Sequence, residues 1–339
     1  MDKLFGIDFG TGGCKAMVID TKGKVLASVF REYPSEHKKP GWSEQDPSLW
    51  LDALTAAVGG CKEQMEDGFE GLLGLAVTAS THNAVLLDRD GKVIRNCIMW
   101  NDQRSGRQSA RLREEFGDKI FEKAMAMPSP TWTLPQLMWV KENEEENFRR
   151  IHRLMFTKDY IRSFITGDFV TDVVDAQGSL FYDARKKEWS EELCKILGLP
   201  METFPKVVQS KEIVGRVREE AARLTGLPAG LPVIAGCSDT AAEDLSAGAV
   251  RQGQIIVKLA TAGNVNIVLD DAKPHVKSFT YPYSVEGKWY TVTATNSCAS
   301  ANRWMRDAFY PVEKELFEAQ GEDVYLYMNK QAEQIPLGS

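Results

Sequence analysis

The sequence predicts an α/β protein built from two layered domains, and three observations carry that prediction. Strand-like and helix-like segments alternate along the chain. A glycine-rich turn, Asp8-Phe9-Gly10-Thr11-Gly12-Gly13, ends the first apolar strand. Displaced against itself by 250 positions, the sequence sets Thr11-Gly12-Gly13 over Thr261-Ala262-Gly263, and Met17-Val18-Ile19-Asp20 over Ile267-Val268-Leu269-Asp270. Each copy reads as strand, small-residue turn, strand, acidic turn. Each would open its own domain, and two such turns could grip one polyphosphate from both sides.

The elements follow in order. Residues 4–8 and 16–20 are strands, and after the turn Thr21-Lys22-Gly23-Lys24 residues 25–33 continue as a third, giving an antiparallel meander. Asp46-Pro47 pairs an N-cap with a proline at the first helical position, and Leu49, Trp50, Ala53 and Val58 recur at helical spacing. Residues 72–78 form a buried strand, and 84–88 with 93–94 around Asp90-Gly91 read as a hairpin. Helices are predicted over 104–116, 134–145 and 159–165, the last ended by Gly167. The turn-rich segment Leu227-Pro228-Ala229-Gly230-Leu231-Pro232 enters a strand at 233–235. Gly236-Cys237-Ser238-Asp239-Thr240 then opens a helix of small residues running to about 249. The boundary falls between 248 and 254, so residues 1–250 make the first domain and 251–339 the start of the second.

Composition narrows the function classes. A chain of 339 residues exceeds the usual size of one core. A formal net charge of -7, with only short basic clusters, argues against nucleic acid, which requires a concentrated basic surface. Six cysteines at 14, 61, 97, 194, 237 and 298 form no C-x-x-C and no dense framework, as expected of a reducing cytoplasm. No apolar run approaches the roughly 20 residues that span a bilayer, so no membrane partner is expected. The first residues run straight into a strand, which leaves no room for a signal peptide. A cytoplasmic protein is the expectation.

Chemistry concentrates in a few segments. Backbone N–H groups converge on an anion only where small residues let the backbone approach, and Gly10, Thr11, Gly12 and Gly13 meet that need, with Lys15 adding positive charge. A plain hairpin turn is the competing reading. Neither a P-loop nor a dinucleotide fingerprint is present. Asp8, at the strand end, could hold Mg²⁺ against phosphates, and reads equally as a carboxylate bonding turn amides. Asp239 taken alone reads as a helix N-cap, yet a carboxylate beside bound phosphate also suits a base that takes a hydroxyl proton. Glu243 and Asp244 are expected to be solvated or bonded to backbone. His82, in Ala79-Ser80-Thr81-His82-Asn83, follows a buried strand, where α/β proteins bind ligands, or is a loop histidine without a role. Trp100-Asn101-Asp102-Gln103-Arg104 joins an aromatic face to four hydrogen-bonding side chains, a set that suits a sugar; the alternative is an Asp102 N-cap over a packed aromatic. His37, His152 and His275 lack zinc-ligand spacing.

On these residues the chain resembles the FGGY carbohydrate kinases, most of all their xylulokinase-like branch. The likeness runs through G-I-D-F-G-T-G-G at 6–13, T-H-N-A-V-L-L-D at 81–88, W-N-D-Q-R at 100–104 and K-D-Y-I-R-S-F-I-T-G-D-F at 158–169. It continues through A-G-C-S-D-T-A-A at 235–242 and A-T-A-G at 260–263. The resemblance implies two ribonuclease-H-like domains of the actin-like ATPase type, with ATP in the cleft between them. It implies transfer of the ATP γ-phosphate to a ketose, D-xylulose first, with another ketose or polyol (ribulose, glycerol) or a non-catalytic sugar- or nucleotide-binding protein as alternatives. Asp239 would be the catalytic base and Asp8 part of the Mg²⁺–phosphate site. Thr11, Gly12 and Gly13 would contact phosphate from one domain, and Thr261, Ala262 and Gly263 from the other. Thr81, His82, Trp100, Asn101 and Asp102 would bind or shape the sugar pocket. Self-association as a homodimer is left open.

Departures from the family pattern cluster at the site. Ala260-Thr261-Ala262-Gly263 stands where the family has G-T-S-G, Gly236-Cys237-Ser238-Asp239-Thr240 where xylulokinases have G-G-G-D-N, and Thr81-His82-Asn83 where M-H-G is frequent. Gln136 replaces a lysine before Leu137-Met138-Trp139. Family members are also longer, and on that comparison the second domain is expected to be incomplete, without the adenine site. The segment 236–248 faintly resembles the anion hole of ribokinase-like enzymes, a reading that leaves the 8–13 turn and the repeat unexplained.

Overall fold

The structure, a computed structural model, describes residues 1–260, 262–295 and 297–336. The predicted meander is present: β1 (Lys3–Gly10), β2 (Gly13–Asp20) and β3 (Val25–Glu32) pair antiparallel in sequence order. Asp20 closes the second connection, its carboxylate accepting from the N–H groups of Lys22 and Lys24 at 2.8 and 2.9 Å. Strand Leu72–Ala79 lies parallel to β1 on its other side, followed by Pro232–Ile234 and then Ile213–Arg216. The result is a mixed six-stranded sheet with β1 near its centre.

Side chains alternate across this sheet, as strand geometry requires. Phe5, Ile7, Phe9, Ala16, Val18, Leu75 and Val77 point to one face and are buried. The helix α1 (Pro47–Glu63) covers that face with Trp50, Ala53, Leu54, Ala57, Val58 and Cys61. It begins as its sequence predicts, with the Asp46 side chain accepting from Ser48 N–H and Pro47 in the first turn. The opposite face carries Gly6, Asp8, Lys15, Met17 and Thr78, which line a cavity of about 560 Å³. The functional side chains are therefore those left over by core formation.

A second sheet follows, in the order Ile255–Leu259, Gly263–Leu269, Trp289–Thr295, Phe279–Pro282, antiparallel throughout. Both halves of the internal repeat are hairpins, but their registers differ by one residue. Gly10 faces Gly13 in the first, whereas Leu259 faces Gly263 in the second. The second connection is one residue longer, so the two turns are not superimposable copies. Thr261, at its centre, lies outside the described residues.

Four local expectations shift. Strand Ala84–Leu87 pairs chiefly with Arg153–Phe156, and Val93 reaches it only through a bridge to Leu87. All four residues of the strand are buried, and Leu154, Met155 and Phe156 offer a buried apolar partner that the short 93–94 segment cannot. The helix predicted over 104–116 runs from Gly106 to Ala124, and that over 134–145 is Thr133–Asn143 followed by Glu145–Arg150. The small-residue helix is Asp239–Ser246, and its N-cap is Ser238, whose hydroxyl accepts from Ala241 N–H. Asp239 is thus the first helical residue rather than the cap. One buried apolar cluster runs from Leu86, Trp132 and Phe181 to Val268, Tyr290 and Val292, and Tyr283 donates its hydroxyl to the Ala249 carbonyl at 2.9 Å. Among the described residues no helix is long and apolar enough to cross a membrane.

Candidate active site

The glycine-rich turn connects β1 to β2. Its glycines serve different needs, and none of Gly10, Gly12 and Gly13 has a positive φ. A Cβ on Gly13 would lie 2.5 Å from Phe30 Cζ and 2.6 Å from the Arg31 carbonyl, so this glycine is required by the packing of β3. Around Gly12 nothing lies within 4 Å of a Cβ position, which leaves the backbone open to a ligand. Thr11 is half-buried, and its Oγ1 accepts from the Trp100 indole N–H at 3.1 Å. Lys15 is exposed and directly opposite Asp8 in the β1–β2 register.

Asp8 and Asp239 come together because of how three strands end. Asp8 is opposite Thr78 in the β1 pairing, and Thr78 donates its hydroxyl to the Cys237 carbonyl at 2.7 Å. Ser238 bridges Ala79. Gly236 allows this approach: its φ is +74° and a Cβ there would lie 2.1 Å from the Val77 carbonyl. Asp8, two residues before the end of β1, and Asp239, beyond strand Pro232–Ile234, therefore both lie near the carboxyl ends of parallel strands that flank strand Leu72–Ala79, the usual ligand position of open α/β sheets. Burial, then the charge of Glu243, pushes Asp8 up to about 6, against the pull of Lys15 and Lys258. Burial pushes Asp239 up to about 7; Asp8 and Glu243 add to the rise, while the Thr240 N–H and Lys258 oppose it.

Glu243 and Lys258 were not legible as site residues. Glu243 accepts from Lys258 Nζ at 2.5 and 2.7 Å, and Lys258 belongs to the second sheet, so this ion pair links that sheet to the carboxylate pair. The one available signal was a lone lysine inside the apolar run Ile255-Ile256-Val257-Lys258-Leu259. Asp244 is buried and accepts from Asn266 Nδ2 at 2.8 and 3.0 Å. Gly263 is buried against Cys298, and Ala262 accepts through its carbonyl from Ala260 N–H.

His82 lies in a tighter setting. It is 6 % exposed, with φ +54°, a conformation that side chains other than glycine adopt rarely. Its N–H donates to Asp175 Oδ1 at 2.9 Å, its carbonyl accepts from the Thr133 hydroxyl at 2.6 Å, and its ring centroid is 4.7 Å from that of Trp132. Burial lowers the imidazole to about 3, so it is neutral, with Nδ1 buried and unpartnered. Thr81 is half-buried beside it, and Gly178 backs both residues. Asp175 in turn meets Lys158 Nζ at 3.0 Å, and the same ammonium meets Asp159 at 2.6 Å and Asp172 at 3.1 Å, all buried. Burial alone would lower Lys158, but three carboxylates outweigh it and hold it above its usual value. Arg162 adds bonds to Asp159 and Asp168, both at 2.8 Å. The K-D-Y…R…T-G-D segment is thus a buried ionic frame beneath His82.

The W-N-D-Q-R segment divides. Trp100 reaches the turn, and Asn101 is half-buried with an unpartnered Oδ1. Asp102 points inward instead. It is wholly buried and accepts from Ser43 N–H at 2.6 Å and from Arg104 Nε and Nη2, while Arg104 lies 3.7 Å from the Trp42 ring centroid. Its oxygens are occupied by protein donors, so the expected sugar contact is replaced by a scaffold role; the cap of the following helix is Ser105. Helix Thr133–Asn143 joins the two groups, since Thr133 bonds His82 and Gln136 Nε2 donates to the Met99 carbonyl at 3.1 Å.

A magnesium–nucleotide fits this donor set in one respect. Among the described residues no group of three or more His, Cys, Asp or Glu is placed to cage a metal. Asp8 Oδ1, however, is buried without a hydrogen-bond partner. Magnesium characteristically takes one or two carboxylates plus phosphate oxygens and waters, and Asp8 would be that carboxylate.

Comparison with known proteins gives the family. The chain is 31% identical over 319 residues to the xylulose kinase of Bacillus subtilis, covering 92% of this chain and 63% of that protein. It superposes on the crystal structure of xylulose kinase from Rhodospirillum rubrum with a TM-score of 0.92 at 28% identity, covering 99% of this chain and 68% of the other. Gluconate kinase from Lactobacillus acidophilus, 24% identical, shares the fold with a TM-score of 0.86 over 91% of this chain and 63% of that one. The chain thus spans slightly less than two thirds of the curated relative's length. Its residues 4–246 match the N-terminal domain of the FGGY family of carbohydrate kinases, and the chain belongs to that family of alcohol-accepting phosphotransferases.

Proposed function

We propose that this chain carries the sugar- and phosphate-binding part of an ATP-dependent ketose kinase with D-xylulose as its first substrate. The observation that carries the reading is Asp239: a carboxylate at the first helical position, free of the capping role, beside Asp8 and raised to about 7. A base titrating there combines the ionised form with useful basicity near neutrality. The relatives named xylulose kinases support the choice of sugar. Residues 1–250 would form the sugar- and phosphate-binding domain, and 251–339 would open the second.

In the proposed reaction the sugar hydroxyl gives its proton to an Asp239 oxygen as its own oxygen attacks the γ-phosphorus. The bond from that phosphorus to the β–γ bridging oxygen breaks, and its electron pair leaves with ADP. Amides of the Thr11–Gly13 turn would hold phosphate oxygens, with Ala262 and Gly263 approaching from the second sheet. Mg²⁺, where bound at Asp8, would neutralise charge on the phosphates. His82, neutral and held through Asp175, would present a ring nitrogen to the sugar, and Trp100 with Asn101 would border it.

An ADP-release screen with MgATP against ketoses, aldoses and polyols, on a full-length protein whose second domain is complete, tests the reading. D-Xylulose is expected to give the highest rate. Preference for glycerol or ribulose would change the substrate, and sugar binding without ADP would make this a binding protein.

A further inference from the structure

The glycine-rich turn is held from beneath by side chains that the proposed chemistry does not use. Tyr33 donates its hydroxyl to the Gly10 carbonyl at 2.6 Å. Gln45 Nε2 donates to the Thr11 carbonyl at 2.7 Å and to Ser35 Oγ at 2.9 Å. Gln45 Oε1 accepts from the Trp50 indole N–H at 2.9 Å. Indole can only donate, so this bond fixes which way the Gln45 amide faces. Gln45 is 1% exposed and Tyr33 7%, and burial raises the Tyr33 phenol, which therefore stays protonated as a donor.

A trans peptide is planar, and its C=O and N–H point in opposite directions. Fixing the Gly10 and Thr11 carbonyls on the Tyr33–Gln45 side directs the next N–H groups, those of Thr11 and Gly12, to the other side. Gly12 is exposed, and apart from its chain neighbours no atom lies within 4 Å of a Cβ position there, so the turn is uncrowded. We infer that Tyr33 and Gln45 are positioning residues that aim the Thr11 and Gly12 amides at a terminal phosphate of a nucleoside triphosphate. The inference rests on the proposed kinase reading for its ligand, but not for the orientation of the turn. The segment Gly41-Trp42-Ser43-Glu44-Gln45-Asp46-Pro47 thereby has a purpose beyond starting α1: Asp46 caps the helix while Gln45 sets the turn.

Tyr33→Phe removes one hydroxyl, and Gln45→Glu keeps the acceptor for Trp50 while removing the donor to Thr11. In a protein that carries this chain with its second domain complete, calorimetry using the non-hydrolysable probe Mg·AMPPNP is expected to show about tenfold weaker binding in each variant, with D-xylulose affinity unchanged within about twofold. Amide ¹⁵N relaxation at Thr11 and Gly12 in the ligand-free chain is expected to show an ordered turn in the parent and a mobile one in both variants. Unchanged relaxation in both variants overturns the inference whatever the chain binds. Parental Mg·AMPPNP affinity in both variants also overturns it. Failure of the parent to bind Mg·AMPPNP, with the relaxation change present, overturns the nucleotide as ligand and leaves the positioning supported.

Discussion

The indole N–H of Trp100 donates to Thr11 Oγ1 across 3.1 Å, joining two segments 89 residues apart. The bond spends the acceptor side of the threonine hydroxyl on the protein and leaves its proton free to face a ligand. It also places the exposed Trp100 ring beside the glycine-rich turn. Loss of the N–H alone, as in Trp100→Phe, is expected to cost about 0.5–1.5 kcal/mol at that bond. Nucleotide affinity measured by calorimetry should fall by roughly twofold to tenfold, while thermal stability changes little.

Gly178 faces Thr81 and His82 with no space to spare. A Cβ there would lie 3.0 Å from Thr81 Cγ2 and 3.1 Å from His82 Cδ2. Gly178→Ala should therefore displace the His82 turn and weaken D-xylulose binding more than nucleotide binding. Overpacking of this kind costs about 1–3 kcal/mol, so a lower melting temperature should accompany the change.

Lys158 pairs with three buried carboxylates, so replacing it should cost far more than deleting a surface ion pair. Lys158→Met is expected to destabilise the chain by about 3–5 kcal/mol, the range for leaving buried charge uncompensated. Asp175→Asn keeps an acceptor for the His82 N–H and should be much milder. Equal losses of melting temperature in the two variants would show that the ammonium is not what holds this frame.

The elevated Asp239 makes stability depend on pH in a defined direction. Its folded value, about 7, exceeds the ordinary 3.8, so between those values the folded chain binds more protons than the unfolded one. Stability from this group is fully present near pH 4, falls as pH rises, and levels off above about 7. Asp239→Asn removes the buried charge. Its melting temperature should exceed the parent's at pH 8 and approach it near pH 4, which thermal scans across that range would show.

Local patterns in the chain made much of this legible. Alternation placed β1 to β3, Asp46-Pro47 marked the start of α1, and an apolar strand leading into G-C-S-D-T located Asp239. What sequence could not show depends on distant partners. Nothing local marks Lys158 and Arg162 as buried: strand Val170–Asp172 and helix Val173–Gly178 bring Asp172 and Asp175 against Lys158, and Arg162 pairs with Asp159 and Asp168. Asp102 could not be known to face inward without Ser43, 59 residues earlier. The repeat located a second hairpin but not its register, because one added residue changes pairing without changing composition.

The most direct measurement is ADP release with MgATP and D-xylulose as a function of pH, for a protein that carries this chain with its second domain complete and for the same protein with Asp239→Asn. The parent should show sugar-dependent release that rises with pH through a midpoint near 7, the value to which Asp239 is raised. The variant should lose about 10²–10⁴-fold, the usual contribution of a positioned base. Turnover by Asp239→Asn within twofold of the parent, or no sugar-dependent ADP at all, would contradict the account.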